Sequence, residues 1–250
     1  MGMKTTAANK CQSHPATPEL GLDGIPLFNG AAPAFLDKLK AASSTHDYAK
    51  GHVVFMQDDV AEWFYVVNSG WVKIFRQTLD GDEVIIDILP AGTLFGETEL
   101  FSNHSFANSA EVVQDAKITA YPMSLLRNQI SADPSFAVKM LEHILHGQRE
   151  QTKEIEHRTI MNASQRLGCF LLRLINVKKI GPVVLHLPYD KTLIASRLGM
   201  QSETFSRALA RLKSDLGMRV RGATIEIDSM DALISYTCSA CSNAFPCAED

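Results

Sequence analysis

The sequence predicts an α+β protein: an N-terminal β-barrel of jelly-roll type, then a long dimerisation helix, then a C-terminal winged helix-turn-helix. Short segments rich in Val, Ile, Phe and Tyr occupy much of the first half of the chain, with turn signals between them. After Asp133-Pro134 the apolar residues recur every three or four positions, which is the helical period. Further on, two short helical segments flank a turn that contains Gly199. The predicted parts are an N-terminal arm (1–24), the barrel domain (25–133), the dimerisation helix (134–158), the winged helix-turn-helix (159–236) and a cysteine-rich tail (237–250).

The amino-acid composition is typical of a globular protein from the interior of the cell. The 250 residues are 46% hydrophobic with a mean hydropathy of −0.03, which is ordinary for such a protein. No apolar run reaches the roughly 18 residues of a membrane span, and residues 1–18 lack the apolar region of a secretory signal. We therefore expect a cytoplasmic protein that binds no membrane, with five cysteines that serve as thiols or ligands rather than in disulfides.

The charge of the chain is unevenly distributed. The net charge is −4, yet residues 158–222 carry twelve Lys or Arg against three Asp or Glu, a local balance of +9. The rest of the chain carries twelve Lys or Arg against twenty-five Asp or Glu, a balance of −13. A basic segment inside an acidic protein is typical of a surface that faces phosphates, although a solvated helical surface gives the same count.

The barrel is predicted from β-rich segments separated by turn residues. These segments are His52–Met56, Trp63–Asn68, Gly70–Gln77, Glu83–Leu89 and Ala110–Tyr121. Asp80-Gly81 is a hairpin signal between two of them, and a short helical segment, Ile25–Leu39, precedes them all. Strands of this length and spacing indicate an antiparallel sandwich or barrel.

The long helix begins at a clear signal, because Asp133 can cap it and Pro134 suits its first turn. Its apolar period continues to His157. A helix of about 24 residues is roughly 36 Å long, more than a small barrel can cover. We therefore predict a homodimer seam, in which a charge at Ile144 would break the dimer; the alternative is a helix that packs within its own domain.

The helix-turn-helix is predicted from residue spacing. A helix at 162–176 is followed by a β-rich stretch, a short helix at 191–198, the turn Gly199-Met200-Gln201, and a second helix at 202–213 capped by Ser202. A basic hairpin, Arg219–Gly222 with Thr224–Ile227, is predicted to form a wing.

One face of the second helix is predicted to contact double-stranded DNA. Phe205, Ala208, Leu209 and Leu212 form its apolar stripe. Glu203, Ser206 and Arg207 share the opposite face, where arginine can bond guanine and glutamate can accept from cytosine in a major groove. The further candidate contacts are Arg211 for a phosphate, and Gln201 and Ser202 at the start of the helix. An ordinary exposed polar face is the alternative.

These motifs resemble those of the cAMP-receptor-protein/fumarate-and-nitrate-reduction-regulator (CRP/FNR) family, from about Ile25 to Ser235. The matching segments are Ala49-Lys50-Gly51, Ser69-Gly70, Gly96-Glu97, Ser164–Leu174 and the E-x-x-S-R motif Glu203-Thr204-Phe205-Ser206-Arg207. Asp58 departs from the glycine that is frequent in the family. The resemblance implies a cyclic-nucleotide-binding-like barrel in a homodimeric transcription activator or repressor that works with RNA polymerase. It also implies that Glu203, Ser206 and Arg207 read TTGA-type palindromic sites.

Cyclic AMP is not expected as the ligand. Family members that bind cyclic nucleotides present an arginine to the phosphate after the Gly-Glu pair, and here Asn108 stands at that position. An anionic phosphate would therefore lack its charge-assisted partner.

The tail cysteines instead predict an iron–sulfur cluster of the 4Fe-4S kind. Cys238, Cys241 and Cys247 have the C-x2-C-x5-C spacing that the oxygen-sensing members of the family use for such a cluster, and thiolates are its usual ligands. The fourth ligand stays open between Cys11, a carboxylate and Cys169, although Cys169 on its apolar helix is more typical of a buried thiol. Zinc and plain thiols are the alternatives at these cysteines.

Two competing functions remain. The chain also resembles the nitric-oxide-responsive branch that regulates denitrification, and haem in the barrel would then be the sensor. None of the eight scattered histidines is marked as its axial ligand. An enzyme of the cupin type would need histidines and a carboxylate clustered on barrel strands, but His52 stands alone on its strand. We therefore do not expect an enzyme.

Overall fold

The computed structural model describes residues 22–102, 104–175, 182–187, 191–239 and 241. The helices are α1 (Pro33–Ala42), α2 (Met123–Ala132), α3 (Pro134–Ile160), α4 (Ala163–Ile175), α5 (Lys191–Arg197), α6 (Ser202–Leu216) and α7 (Met230–Cys238). The strands are β1 (Ser44–Tyr48), β2 (Val53–Phe55), β3 (Trp63–Gln77), β4 (Glu83–Leu89), β5 (Leu94–Phe95), β6 (Ser109–Pro122), β7 (Val183–His186), β8 (Arg219–Arg221) and β9 (Thr224–Ile227). Short 3-10 helices lie at Leu22–Gly24, Pro26–Phe28 and Glu97–Phe101. None of the helices in these ranges is long and apolar enough to span a membrane.

Two long antiparallel strands, β3 and β6, organise the N-terminal sheet. The first half of β3 pairs with β5 and with the end of β6, which also pairs with β1. The second half of β3 pairs with β4 and with the start of β6, which also pairs with β2. Each long strand therefore takes part in two layers, as in a jelly roll, and the predicted fold class is confirmed.

The expectation of a closed barrel is wrong in one respect. The strand order is β1-β6-β3-β4, with β2 on β6 and β5 on β3, so the sheet stays open. The turn predicted at Ser69-Gly70 is instead a bend inside the continuous strand β3, where the register shifts. Gly70 has φ +81°, and a Cβ there would overlap the Asp115 carbonyl oxygen. The bend that folds the sheet over therefore depends on a glycine.

The N-terminal part of α3 packs on the sheet domain. Asp133 caps the helix as predicted, because its side chain accepts from the backbone N–H groups of Ser135 and Phe136. Phe136 and Met140 are 1% exposed in the core beneath α1 and α2. Ile144, assigned from sequence to the dimer seam, is half-buried against the same core. Ile144 is therefore not a suitable position at which to test the seam. A charge there would also damage the core of its own domain.

The C-terminal domain packs α4, α6 and α7 around one apolar core, beside a sheet of order β7-β9-β8. This core continues into the sheet domain through Phe75 and Ile85, Ile88 and Val113. The two domains consequently share buried apolar surface, and a change in one can reach the other through packed side chains.

Candidate nucleic-acid interface

The bihelical unit of α5 and α6 has the predicted glycine-bearing turn. Gly199 takes φ +60°, a conformation that suits glycine, and the Met200 N–H donates to the Ala195 carbonyl over 2.8 Å. Ile194, Met200 and Phe205 are buried beneath the turn. This packing fixes the angle between the two helices and presents α6 at the surface.

The two faces of α6 separate as the sequence predicts. The stripe of Phe205, Ala208, Leu209 and Leu212 is buried, with Leu212 fully inaccessible. Glu203 and Arg207 project into solvent with side chains 77% and 71% exposed, and they form an ion pair of 3.5 Å one turn apart. Ser206 lies exposed between them and its hydroxyl donates to the Ser202 carbonyl over 2.9 Å. A donor, an acceptor and a small hydroxyl therefore face outwards together.

The helix begins at Ser202 as predicted, but the capping role assigned to Ser202 is wrong. The Phe205 N–H donates to the carbonyl of Gln201, which makes Gln201 the N-cap residue and Ser202 the first residue of the helix. No side chain caps this end. Gln201 and Ser202 are both exposed there, and Arg211 further along pairs with Asp215 over 3.4 Å.

Strands β8 and β9 form the predicted wing, with a turn at Gly222. Arg219 is held inside this hairpin by Glu226 and Asp228, each at 2.8 Å. Hydrogen bonds that Arg219 donates to Glu226 and Asp228 raise its pKa, so it stays protonated and its charge is balanced within the hairpin. Arg221 beside the turn is exposed and is the better candidate for a phosphate contact. The sequence did not distinguish the two arginines, because the acidic partners of Arg219 lie seven and nine residues downstream.

Two family models match the chain: the cyclic nucleotide-binding domain at residues 45–133, and the Crp-like helix-turn-helix domain at residues 165–236. The Cyclic AMP receptor protein of Thermus thermophilus is 29% identical over 206 residues, with 82% of this chain and 94% of that protein covered. The Fumarate and nitrate reduction regulatory protein of Salmonella typhi is 27% identical over 189 residues, covering 74% of each. A solved putative cyclic nucleotide binding protein from Ruegeria pomeroyi is 30% identical with a TM-score of 0.68, covering 86% of this chain and 94% of that one.

The chain belongs to the CRP/FNR family. It is a DNA-binding transcription regulator, with the helix-turn-helix as its DNA-binding element. In this CRP/FNR protein a buried arginine links that element to the other domain. Arg197 at the end of α5 is 4% exposed, and its Nε donates to Asp87 Oδ1 of β4 over 3.0 Å. Its two Nη atoms donate to both carboxylate oxygens of Glu154 on α3.

The charge of Arg197 is maintained by these partners. Burial alone would lower the pKa of the guanidinium, but the hydrogen bonds and charges of Glu154 and Asp87 raise it above its usual range. Three parts of the CRP/FNR fold therefore meet at one fully paired cation: the sheet domain, the long helix and the helix-turn-helix. The sequence offered no sign of this contact, since the partners are 43 and 110 residues away.

A cavity of about 190 Å³ lies between the layers of the sheet domain. Its described lining combines the aromatic rings of Phe55, Phe95 and Phe106 with carboxylates, and it includes no Lys, Arg or His. Asn108 lines it as predicted and accepts from Arg76 Nε over 2.9 Å. The carboxylates of Asp87, Glu97 and Glu99 give the described lining negative charge, and Arg76 approaches it through Asn108.

The tail cysteines are partly within the described chain. Cys238 ends α7 and Cys241 follows it, while Cys11 and Cys247 lie outside the described residues. The thiol of Cys241 lies 3.2 Å from His157 Nε2 near the end of α3, and the buried thiol of Cys169 lies 3.6 Å from His157 Nδ1. Burial lowers the pKa of this imidazole, so it is neutral near pH 7. His157 was not among the predicted site residues.

The described donors do not complete a metal site by themselves. No three His, Cys, Asp or Glu side chains in the described ranges gather around one point. The chemistry of the donors nevertheless fits a thiophilic metal centre, because thiol sulfur and neutral imidazole nitrogen are ligands that iron and zinc accept. The other donors predicted from the sequence are Cys247 and, for the fourth position, Cys11, a carboxylate or Cys169.

Proposed function

We propose that this regulator is a homodimer that reads TTGA-type palindromic DNA with α6 and responds to oxygen or nitric oxide through an iron–sulfur cluster on its C-terminal cysteines. The observation that supports DNA reading most strongly is the outward grouping of Glu203, Ser206 and Arg207 opposite a buried apolar stripe. Because the stripe fixes the rotation of α6, these three side chains are the ones that a major groove would meet.

The exposed side chains of α6 match the edges of bases. Arg207 can donate to O6 and N7 of one guanine, and Glu203 can accept from N4 of cytosine. Their mutual ion pair keeps both extended on the same face before DNA arrives. Two further parts of α6 are candidates for contacts with the phosphate backbone: its start, with Gln201 and Ser202, and its second half, with Arg211. Such contacts position the protein rather than select a sequence.

Dimerisation is supported by an apolar stripe on the outer face of α3. Val138, Leu141, Leu145 and Ile155 are 55%, 56%, 41% and 67% exposed. Their spacing of three, four and ten residues matches the a and d positions of a coiled-coil heptad. A second copy of the helix would bury all four, and two α6 helices would then face half-sites roughly 34 Å apart.

The proposed signal acts at the tail. Cys238 and Cys241 supply a C-x2-C pair, and Cys247 and a fourth ligand would complete the set. When bound, the cluster supplies a centre that oxygen or nitric oxide can destroy. The tail lies against α3 through Cys241, so the signal would arise beside the proposed dimer seam. The output would be activated or repressed transcription by RNA polymerase in the cytoplasm.

Selection from a random DNA pool tests this function. Anaerobically purified full-length protein should enrich a near-palindrome with TTGA-type half-sites whose centres are about one helical turn apart, roughly 34 Å. The Glu203→Ala protein should enrich sites in which one position of each half-site no longer prefers a single base pair. The control Glu142→Ala, on the exposed face of α3, should enrich the original site. Enrichment of unrelated or non-repeated sites by the unaltered protein would contradict the proposal.

A further inference from the structure

His157 connects two thiols that belong to different parts of the chain. Its Nε2 faces Cys241 of the tail at 3.2 Å, and its Nδ1 faces Cys169 of α4 at 3.6 Å. No disulfide joins these cysteines. All three residues lie where the end of α3, the helix α4 and the end of α7 come together.

We propose that His157 is a ligand of the metal centre held by the tail cysteines, and that Cys169 orients it rather than binding the metal. This inference rests on the proposed function in one respect, that Cys238 and Cys241 bind a metal at all. It assigns the open ligand position to a histidine that the spacing of the cysteines did not reveal.

The two ring nitrogens of His157 separate these roles. A metal-binding imidazole uses one nitrogen for the metal and donates the other N–H to a neighbour, which fixes its tautomer and its orientation. Here only Nε2 faces the tail, so it is the nitrogen available to the centre. Nδ1 faces Cys169, and a nitrogen engaged there cannot reach a metal bound by Cys241. Cys169 is itself buried on α4, away from the tail side of the ring.

The distance between the donors supports shared ligation. Two ligands of one tetrahedral ion, with metal–sulfur and metal–nitrogen bonds of about 2.3 and 2.0 Å, lie roughly 3.5 Å apart. The observed 3.2 Å between Cys241 Sγ and His157 Nε2 is close to that separation. Histidine also replaces cysteine on iron in some iron–sulfur centres. The contact therefore brings both donors within reach of one metal centre.

Ligation by His157 would give the signal a direct route to the helix-turn-helix. His157 is one turn from Glu154, which holds the buried Arg197 of α5. A centre that joins the tail to His157 would fix this turn of α3. Loss of the metal would release the tail and loosen the support of Arg197 together.

The test compares full-length protein with three variants, all purified without oxygen: His157→Ala, His157→Cys and the control His146→Ala, which alters an exposed histidine of the same helix. Iron, zinc and sulfide contents are measured, and pulsed EPR of the reduced protein detects a nitrogen bound to iron. We expect the unaltered protein and the control to show iron, sulfide and nitrogen coupling. His157→Ala should lose at least tenfold in metal affinity, and His157→Cys should keep the metal but lose the nitrogen coupling.

The outcomes separate this inference from the proposed cluster. Full iron and sulfide in His157→Ala, with an unchanged spectrum, would overturn the role of His157 and leave the cysteine cluster standing. Zinc without sulfide in the unaltered protein, lost in His157→Ala, would support the ligand and overturn the iron–sulfur proposal. Protein with no metal under any of these conditions would overturn both.

Discussion

At the scale of single residues, Gly168 and Thr237 set how closely α4 and α7 approach. A Cβ on Gly168 would overlap the hydroxyl oxygen of Thr237, which is fully buried. That hydroxyl has no hydrogen-bond partner among the described residues. The pair lies one residue from Cys169 and from Cys238, so the fit of these helices also positions the thiols of the metal proposal.

Gly168→Ala is therefore expected to destabilise the protein by about 1–3 kcal/mol, because the added methyl group forces α7 away from α4. Chemical denaturation measures this loss. The double variant Gly168→Ala with Thr237→Ala should recover part of it, since the two residues are in contact and their effects do not add. An unchanged free energy of unfolding in the single variant would show that the helices are not so closely packed.

At the scale of elements, α3 has two apolar faces with different roles. Phe136 and Met140 are buried in its own domain, whereas Leu141 and Leu145 remain exposed on the outer face. In the proposed dimer, the exposed face would pack against the same face of a second copy. The sequence-based alternative, a helix that packs within its own domain, thus describes the first face, and the dimer proposal concerns the second.

Leu145→Asp is predicted to weaken the dimer, because the new carboxylate would be buried without a partner in the seam. Sedimentation should show monomer at concentrations where the unaltered protein is dimeric. His146→Asp adds the same charge one residue away, outside the a and d positions, and should leave the dimer intact. Equal dissociation constants for the two variants would place the interface elsewhere.

The elements that the sequence predicted well are those with local signals. Helix α6 was predicted from the period of Phe205, Leu209 and Leu212, and the start of α3 from Asp133-Pro134. Strand β1 and helix α2 were missed, because β1 is largely exposed and has no apolar alternation, and α2 buries only Met123 and Leu126. The open sheet was missed because closure depends on which distant strand edges meet, and alternation along one strand carries no such information.

At the candidate sites, the features that the sequence did not predict are contacts between residues far apart in the chain. Glu203, Ser206 and Arg207 share a face by helical spacing alone, so their grouping was visible in the sequence. The approach of His157 to Cys241 spans 84 residues, and that of Arg197 to Asp87 spans 110. Neither has a local pattern, and both were found only through the packing of α3 against the two domains.

At the scale of the whole molecule, Arg197 couples the domains through a buried ion pair network. Burial alone would raise the pKa of Glu154, but the hydrogen bond and charge of Arg197 lower it. A carboxylate whose pKa is lowered by folding stabilises the native state above its unfolded pKa, about 4.3 for glutamate. That contribution is lost as the pH falls from there through the lower native pKa.

Glu154→Gln should accordingly destabilise the protein by on the order of 3 kcal/mol near neutral pH, since it removes one partner of a buried cation. Denaturant unfolding at a series of pH values should show this difference shrink below about pH 4.3, where the unaltered protein also loses the charge of Glu154. Glu142→Gln, on the exposed face of α3, provides the control and should change little. A difference that persists unchanged into strong acid would rule out the ion pair as its source.

Helix α6 is the element proposed to read DNA, through Glu203, Ser206 and Arg207. A competition titration should therefore compare Arg207→Ala with Arg211→Ala, each against the selected site and against variants with one base pair changed. Arg207→Ala should lose about 1–3 kcal/mol on the selected site and its preference at one guanine, whereas Arg211→Ala should weaken binding to all sites more evenly. Arg207→Ala protein that keeps full affinity and full preference at every position would contradict the assignment of α6 as the recognition helix.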